Sequence, residues 1–184
     1  MVALTALILP ILLSAVLVFI TSSIFHMALK YHHNDFGQLP DEDTLMEAFR
    51  NAKVSPGSYA MPCAGSPEAM KSPEFQAKVD KGPTVFMTVF DGGFAMGSSL
   101  VQWFIYSALV AFFSGYVASR TLAPGADYLA VFRVVGTVAF MAYAMGLWQM
   151  SIWYKRPWSL TAKFTFDGLI YALLTAGAFG WLWP

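Results

Sequence analysis

Hydrophobic positions along this chain gather into four long runs, at residues 2–29, 98–119, 128–153 and 164–183. Each supplies roughly the 20 residues that a helix rising about 1.5 Å per residue needs to cross a hydrocarbon core of about 30 Å. In lipid every backbone amide must be bonded within its own segment, so such runs predict helices. A barrel would show segments of about ten residues alternating polar and apolar, and the chain has none. The expected fold class is an all-α membrane protein: a four-helix transmembrane bundle with helix 1 in residues 1–29 and helices 2–4 in residues 98–184. The first run opens M-V-A-L with no Lys or Arg and is longer than a signal peptide core, so it is expected to be a retained helix that tolerates Pro10.

The polar residues 30–97 between runs one and two are too many for a bare loop. L-P-D-E-D-T-L-M-E-A-F-R predicts an amphipathic helix with Pro40 in its first turn, acids near its N-terminus, and Leu45, Phe49 and Ala52 on one face. Ser72-Pro73 is a second helix start. Thr84–Phe90 is β-branched and aromatic and predicts a strand, paired with one near residues 58–63. Together these predict a small cytoplasmic α+β cap between helices 1 and 2. Two or three strands are marginal alone, so Phe86, Met87 and Phe90 must be covered by the chain's own helices or by a docked partner.

Composition strengthens the membrane reading. The chain is 57% hydrophobic and 12% charged, more oil than a soluble domain of this size can hide. Lys155, Arg156 and Lys163 cluster around the turn between runs three and four, and Lys30 and Lys81 flank the long insert; the opposite side offers Arg120, with Arg133 inside run three. The positive-inside rule then places residues 30–97 and this turn in the cytoplasm and both termini outside, in a multi-pass membrane protein. Trp148, Trp153, Tyr154 and Trp158 make the inner aromatic belt; Tyr116, Tyr128, Trp181 and Trp183 make the outer one. Net charge is zero, and residues 30–97 hold six Lys/Arg against nine Asp/Glu, which argues against nucleic acid as a partner. The single Cys63 lies in a reducing compartment and forms no disulfide.

Small residues recur at four-residue steps: Ser107, Ala111, Gly115 and Ser119 in run two, and Ala172, Ala176 and Gly180 in run four. Such stripes let helix backbones approach, within one bundle or across a homo-oligomer seam.

Intramembrane polar groups are the default place to look for function. His26, Gln102, Gln149 and Asp167 stand at similar depth, about 6–9 Å inside the boundary by helical rise, one per helix. Facing inward, they would form one polar layer for a ligand, a proton or a quinone headgroup, with Asp167 fixing the His26 tautomer. The bland alternative is interhelical hydrogen bonding, or Asp167 paired with Lys163 one turn away. Arg133 would snorkel, or pair with Asp127 or the C-terminal carboxylate. A metal set could be drawn from His32, His33, Asp35 and Cys63; on a continuous helix His26 and His33 share a face but stand about 10 Å apart, so sharing an ion would require a chain break after Lys30. P-loop, G-x-S-x-G, H-E-x-x-H and C-x-x-C signatures are missing.

L-P-D-E-D at 39–43, S-P-E-F at 72–75, G-A-D-Y-L-A-V-F-R at 125–133 and L-W-Q-M-S-I-W-Y at 147–154 resemble a group of small bacterial inner-membrane proteins with four transmembrane helices and no assigned function. The resemblance implies a bacterial membrane protein and carries over no catalytic residue. The first expectation is a non-enzymatic accessory or scaffold subunit, in a homo-oligomer or larger membrane complex, whose cap docks a partner. The alternative is a membrane protein that handles a small ligand, a quinone or a proton through the polar layer; a metal-dependent membrane enzyme stands third. No cofactor is expected beyond a bound lipid or quinone.

Overall fold

The computed structural model describes residues 1–93 and 95–184 and is mostly helical. The chain forms two units, Met1–Phe36 with Ala95–Pro184, and Gly37–Phe94.

In the first unit a 3₁₀ turn, Leu4–Leu7, leads into α1 (Ile8–Ser23), which runs on through a π turn at Ile24–Ala28. After the second unit come α5 (Met96–Thr121), α6 (Tyr128–Tyr143), a 3₁₀ turn at Met145–Leu147, α7 (Trp148–Ile152) and α8 (Trp158–Trp181). Helix α1 packs on α5 and α8, and α6 packs on α8 and α5. Three stretches are long and apolar enough to cross a membrane: Leu4–Ala28, Met96–Thr121 and Tyr128–Ile152. Helix α8 has the length but is not among them. It carries Lys163 and Asp167 and is rich in Gly, Ala and Thr, because it is packed by its neighbours: Asp167, Gly168, Ala172, Thr175, Ala176 and Phe179 on it are all buried.

Packing is inverted relative to a water-soluble protein. The buried positions are largely small, with Ala15, Ala111, Ala118, Ala139, Ala172 and Ala176 at or near zero exposure, while Leu9, Val101, Phe113 and Leu129 are each more than half exposed. Lipid offers no hydrophobic drive between helices, so close backbone approach does the holding. The stripe Ser107, Ala111, Gly115 and Ser119 is buried within the chain, which gives it an intramolecular use. A Cβ on Gly115 would lie 2.6 Å from the Phe179 ring, and one on Gly168 would lie 3.0 Å from the Cβ of Ala144. The third run is not one α-helix. It breaks at Ala144, which lies against Gly168 of α8, and resumes as α7.

Most buried hydroxyls return their proton to their own helix: Ser14 to Pro10 O, Ser107 to Trp103 O, Ser114 to Val110 O and Thr175 to Tyr171 O, all within 2.9 Å. Direct side-chain bonds between helices are fewer; Trp103 Nε1 donates to Ser22 Oγ at 2.8 Å, and Ser151 pairs with Thr161 at 2.7 Å. Arg133 is exposed and in no ion pair among the described residues, so neither suggested carboxylate holds it. The C-terminus is tied instead by backbone, with Gly125 N donating to Pro184 O at 2.7 Å.

The second unit contains α2 (Glu42–Asn51), β1 (Gly57–Met61), α3 (Pro67–Met70), α4 (Pro73–Lys81) and β2 (Val85–Val89). The strands pair antiparallel, with Tyr59 opposite Met87. Ser66 and Ser72 cap α3 and α4 through their hydroxyls, each with Pro at the first helical position. Pro40 lies before α2, not in its first turn, because Asp41 takes a left-handed conformation (φ 53°) as the N-cap. Phe86 and Phe90 are exposed and Met87 is half-buried.

Candidate functional site

The site is built where the chain leaves α1. The π turn ends at Leu29, which is extended (φ −88°, ψ 136°), and the chain turns back into a 3₁₀ turn at Lys30–His32. This break lies one residue earlier than the one a shared ion would need, and it selects His32 rather than His33. The His32 ring stacks on His26 with centroids 4.1 Å apart and planes 25° from parallel. Phe164 of α8 supports both rings, at 5.0 Å from His32 and 5.7 Å from His26.

Each nitrogen of His32 meets a carboxylate. Nδ1 lies 2.5 Å from Asp35 Oδ2, and Nε2 lies 2.9 Å from Asp167 Oδ2. Lys163 Nζ donates to the other oxygen of Asp35 at 2.8 Å and to the Tyr31 carbonyl at 2.9 Å. The side chains of His32, Asp35 and Asp167 are 5%, 4% and 1% exposed. The result is a row, Lys163–Asp35–His32–Asp167, with three buried members and the partly exposed Lys163 at its end. A carboxylate accepts and cannot donate, so the two bonds of His32 require a proton on both ring nitrogens or on one of the carboxyls. With imidazolium the row would alternate in sign and sum to zero, which would let three ionisable groups share a buried place beside the lysine. Burial pushes the Asp35 carboxyl up, but the hydrogen bonds from Lys163 and His32 outweigh it and hold the group below its ordinary range.

Two polar atoms in this region are buried without a partner among the described residues: Asp167 Oδ1 and the Tyr171 hydroxyl, one turn apart on α8. Both residues line a cavity of about 720 Å³. His26 lines it too, and its ring nitrogens make no hydrogen bond among the described residues. The remaining wall is mainly aromatic and aliphatic, including Met27, Leu100, Trp103, Tyr106, Tyr143 and Phe164. A cavity of this size, apolar with a few convergent polar atoms, has the character of a small-molecule site. A nearby cavity of about 350 Å³, lined by Phe140, Trp148, Trp158 and Phe166 among others, has no charged residue in its wall.

Of the expected polar layer, His26 and Asp167 come together; the glutamines do not. Gln102 is exposed on α5, one position from the inward Trp103 and therefore turned about 100° away. Gln149 is exposed on α7, two positions from the buried Ser151 and therefore turned to the other side of the helix. Of the expected metal set, His32 and Asp35 are joined, His33 is exposed, and Cys63 is an exposed thiol of the unit Gly37–Phe94. Lys163 pairs with Asp35, not with Asp167 one turn along its own helix. Tyr171 and the His32–Asp35 contact escaped the sequence reading, although the i,i+3 spacing of that pair on a short turn was a usable signal. No protein-family model, curated protein or solved structure matches this chain, so any function must be argued from these side chains and this cavity.

Proposed function

We propose that this is a four-helix transmembrane bundle whose cavity binds a small, largely apolar molecule carrying a polar head, of the quinone or lipid class, with His26 and Asp167 at the polar end. The observation that carries the reading is the pair of buried atoms without a partner among the described residues, Asp167 Oδ1 and the Tyr171 hydroxyl, on the wall of a mainly apolar cavity. An unmatched buried polar group costs about 1–3 kcal/mol. A ligand headgroup or an ordered water would offset that cost. This is why the ligand reading is preferred to the accessory-subunit one.

Under this reading α8 is the fourth crossing. Its charged residues lie near one end, and Asp167 is held by partners inside the bundle rather than exposed to lipid. Residues 30–97 form a cytoplasmic cap, both termini are exterior, and the membrane is a bacterial inner membrane; the Lys/Arg distribution and the family resemblance support this placement.

The test is binding in detergent. A short-chain quinone should quench tryptophan fluorescence saturably, and the quenching should fall in Trp103→Phe. Asp167→Asn and Tyr171→Phe should each weaken it by about five- to tenfold, the worth of one hydrogen bond near 1 kcal/mol or slightly more. Quenching that is linear in quinone, or indifferent to all three substitutions, would reject the ligand reading.

A further inference from the structure

We infer that His26, His32 and Asp167 form a binding site for one divalent transition-metal ion, with Asp35 and Lys163 as its supporting shell. One ligand atom from each of the three residues lies within 4.8 Å of the others. Two imidazoles and one carboxylate are a donor set that suits zinc, ferrous iron and cobalt, and three protein ligands leave coordination positions open.

His32 Nε2 and Asp167 Oδ2 are 2.9 Å apart, a hydrogen-bond distance that two ligands of one ion at near-right angles also show. Three features point to an ion rather than to a plain ion-pair cluster. Asp167 keeps its second oxygen buried and without a partner among the described residues. His26 keeps its nitrogens unengaged beside them on the cavity wall. Asp35 accepts from His32 Nδ1, the carboxylate–histidine arrangement that fixes a ligating tautomer and leaves Nε2 for the metal, and Lys163 fixes Asp35 in turn.

The His26 ring must tilt off the His32 stack to bring its nitrogen in, and as an exposed side chain at the edge of the cavity it has the room. The ion would take the place of a proton on His32 Nε2, and the extra positive charge that a divalent ion brings would be offset by an anion or hydroxide in one of the open coordination positions. The site stands whether or not the cavity also takes an organic molecule.

Tag-free protein in detergent, titrated with Co²⁺ alone, decides it. The expected result is a saturable visible absorption band reaching one Co²⁺ per chain. His26→Ala and His32→Ala should each weaken binding by tenfold or more. Asp35→Asn, which leaves all three ligands, should weaken it by about 10–100-fold. His33→Ala should bind as the parent does. Size-exclusion profiles and melting curves check that each variant is folded; because His26 is exposed, its variant reads out binding even where His32→Ala unfolds. Absence of saturable binding in the parent overturns the inference, as does parent-like binding in His26→Ala or a loss confined to His33→Ala. Since no quinone is present, failure here leaves the quenching experiment to judge the ligand reading separately.

Discussion

His32 reaches Asp167 across 135 positions of sequence, with Nε2 2.9 Å from Oδ2, and so fastens the segment leaving the first helix to the last one. Both side chains are almost fully buried. Breaking such a pair by removing one partner leaves the other charge uncompensated, at a cost of about 3–5 kcal/mol. Asp167→Ala and His32→Ala should each lower stability on that scale in detergent unfolding. The double variant should cost less than the sum by about 1–3 kcal/mol. Additivity within about 0.5 kcal/mol would mean that the contact is geometric only.

Lys163 gives a pH-dependent signature. Asp35 has a folded pKa that burial raises but that the hydrogen bonds from Lys163 and His32 hold below its ordinary value, the one from Lys163 being the largest single lowering cause. A group of this kind contributes stability that is complete above the unfolded carboxyl value near 3.9 and disappears as pH falls through the lower folded value. In metal-free protein Lys163→Met should cost about 1–3 kcal/mol at neutral pH. The gap between parent and variant should begin to close as pH falls toward the unfolded carboxyl value near 3.9, and should go on closing as pH passes through the lower folded value. A gap that holds constant across this range would show that Lys163 acts through its hydrogen bond to the Tyr31 carbonyl and not through Asp35.

Glycine substitutions separate rigid from yielding contacts. At Gly115 a Cβ would enter the ring of Phe179, which has no exposed surface and nowhere to go. At Gly180 it would meet the Tyr128 ring at 2.7 Å, but Tyr128 is 47% exposed and can swing outward. Gly115→Ala should cost about 1–3 kcal/mol as overpacking, and Gly180→Ala distinctly less. Equal melting temperatures for the two variants would contradict this account of the helix contacts.

The long elements were legible because lipid permits few alternatives: a run of apolar residues of that length has to be a helix. The break at Ala144 was not, since no Pro marks it and Gly146 beside it is one of several glycines in these runs that do not break a helix; Gly168 of another helix lies against it. The candidate site was half legible. Comparing depths brought out His26 and Asp167 as partners in one layer. It also brought in Gln102 and Gln149, because depth says nothing about helix face, and both turn outward. The pairing with His32 depends on Leu29 adopting an extended conformation, where the local sequence has neither Gly nor Pro to signal a turn. Lys163 had a nearer acid by sequence, one turn along its helix, and takes Asp35 instead because the reversed chain delivers that carboxylate to it.

The proposed four crossings commit two distant segments to one aqueous compartment, and the chain carries its own reporter. Cys63 is the single thiol and is exposed. In intact cells a membrane-impermeant maleimide should leave it unlabelled and label it once the membrane is permeabilised. In a Cys63→Ser background, Ser159→Cys samples the exposed start of α8 and Pro124→Cys the exposed turn between α5 and α6. Four crossings require Ser159→Cys to behave like Cys63, and Pro124→Cys to react in intact cells. If α8 did not cross, the C-terminal residues would share a side with Ser159, yet the backbone bond from Gly125 N to Pro184 O holds the C-terminus against the Pro124 turn. Opposite accessibilities at Cys63 and Ser159→Cys would therefore break the four-crossing arrangement. Matching ones, with Pro124→Cys opposite, leave α8 no path except through the bilayer.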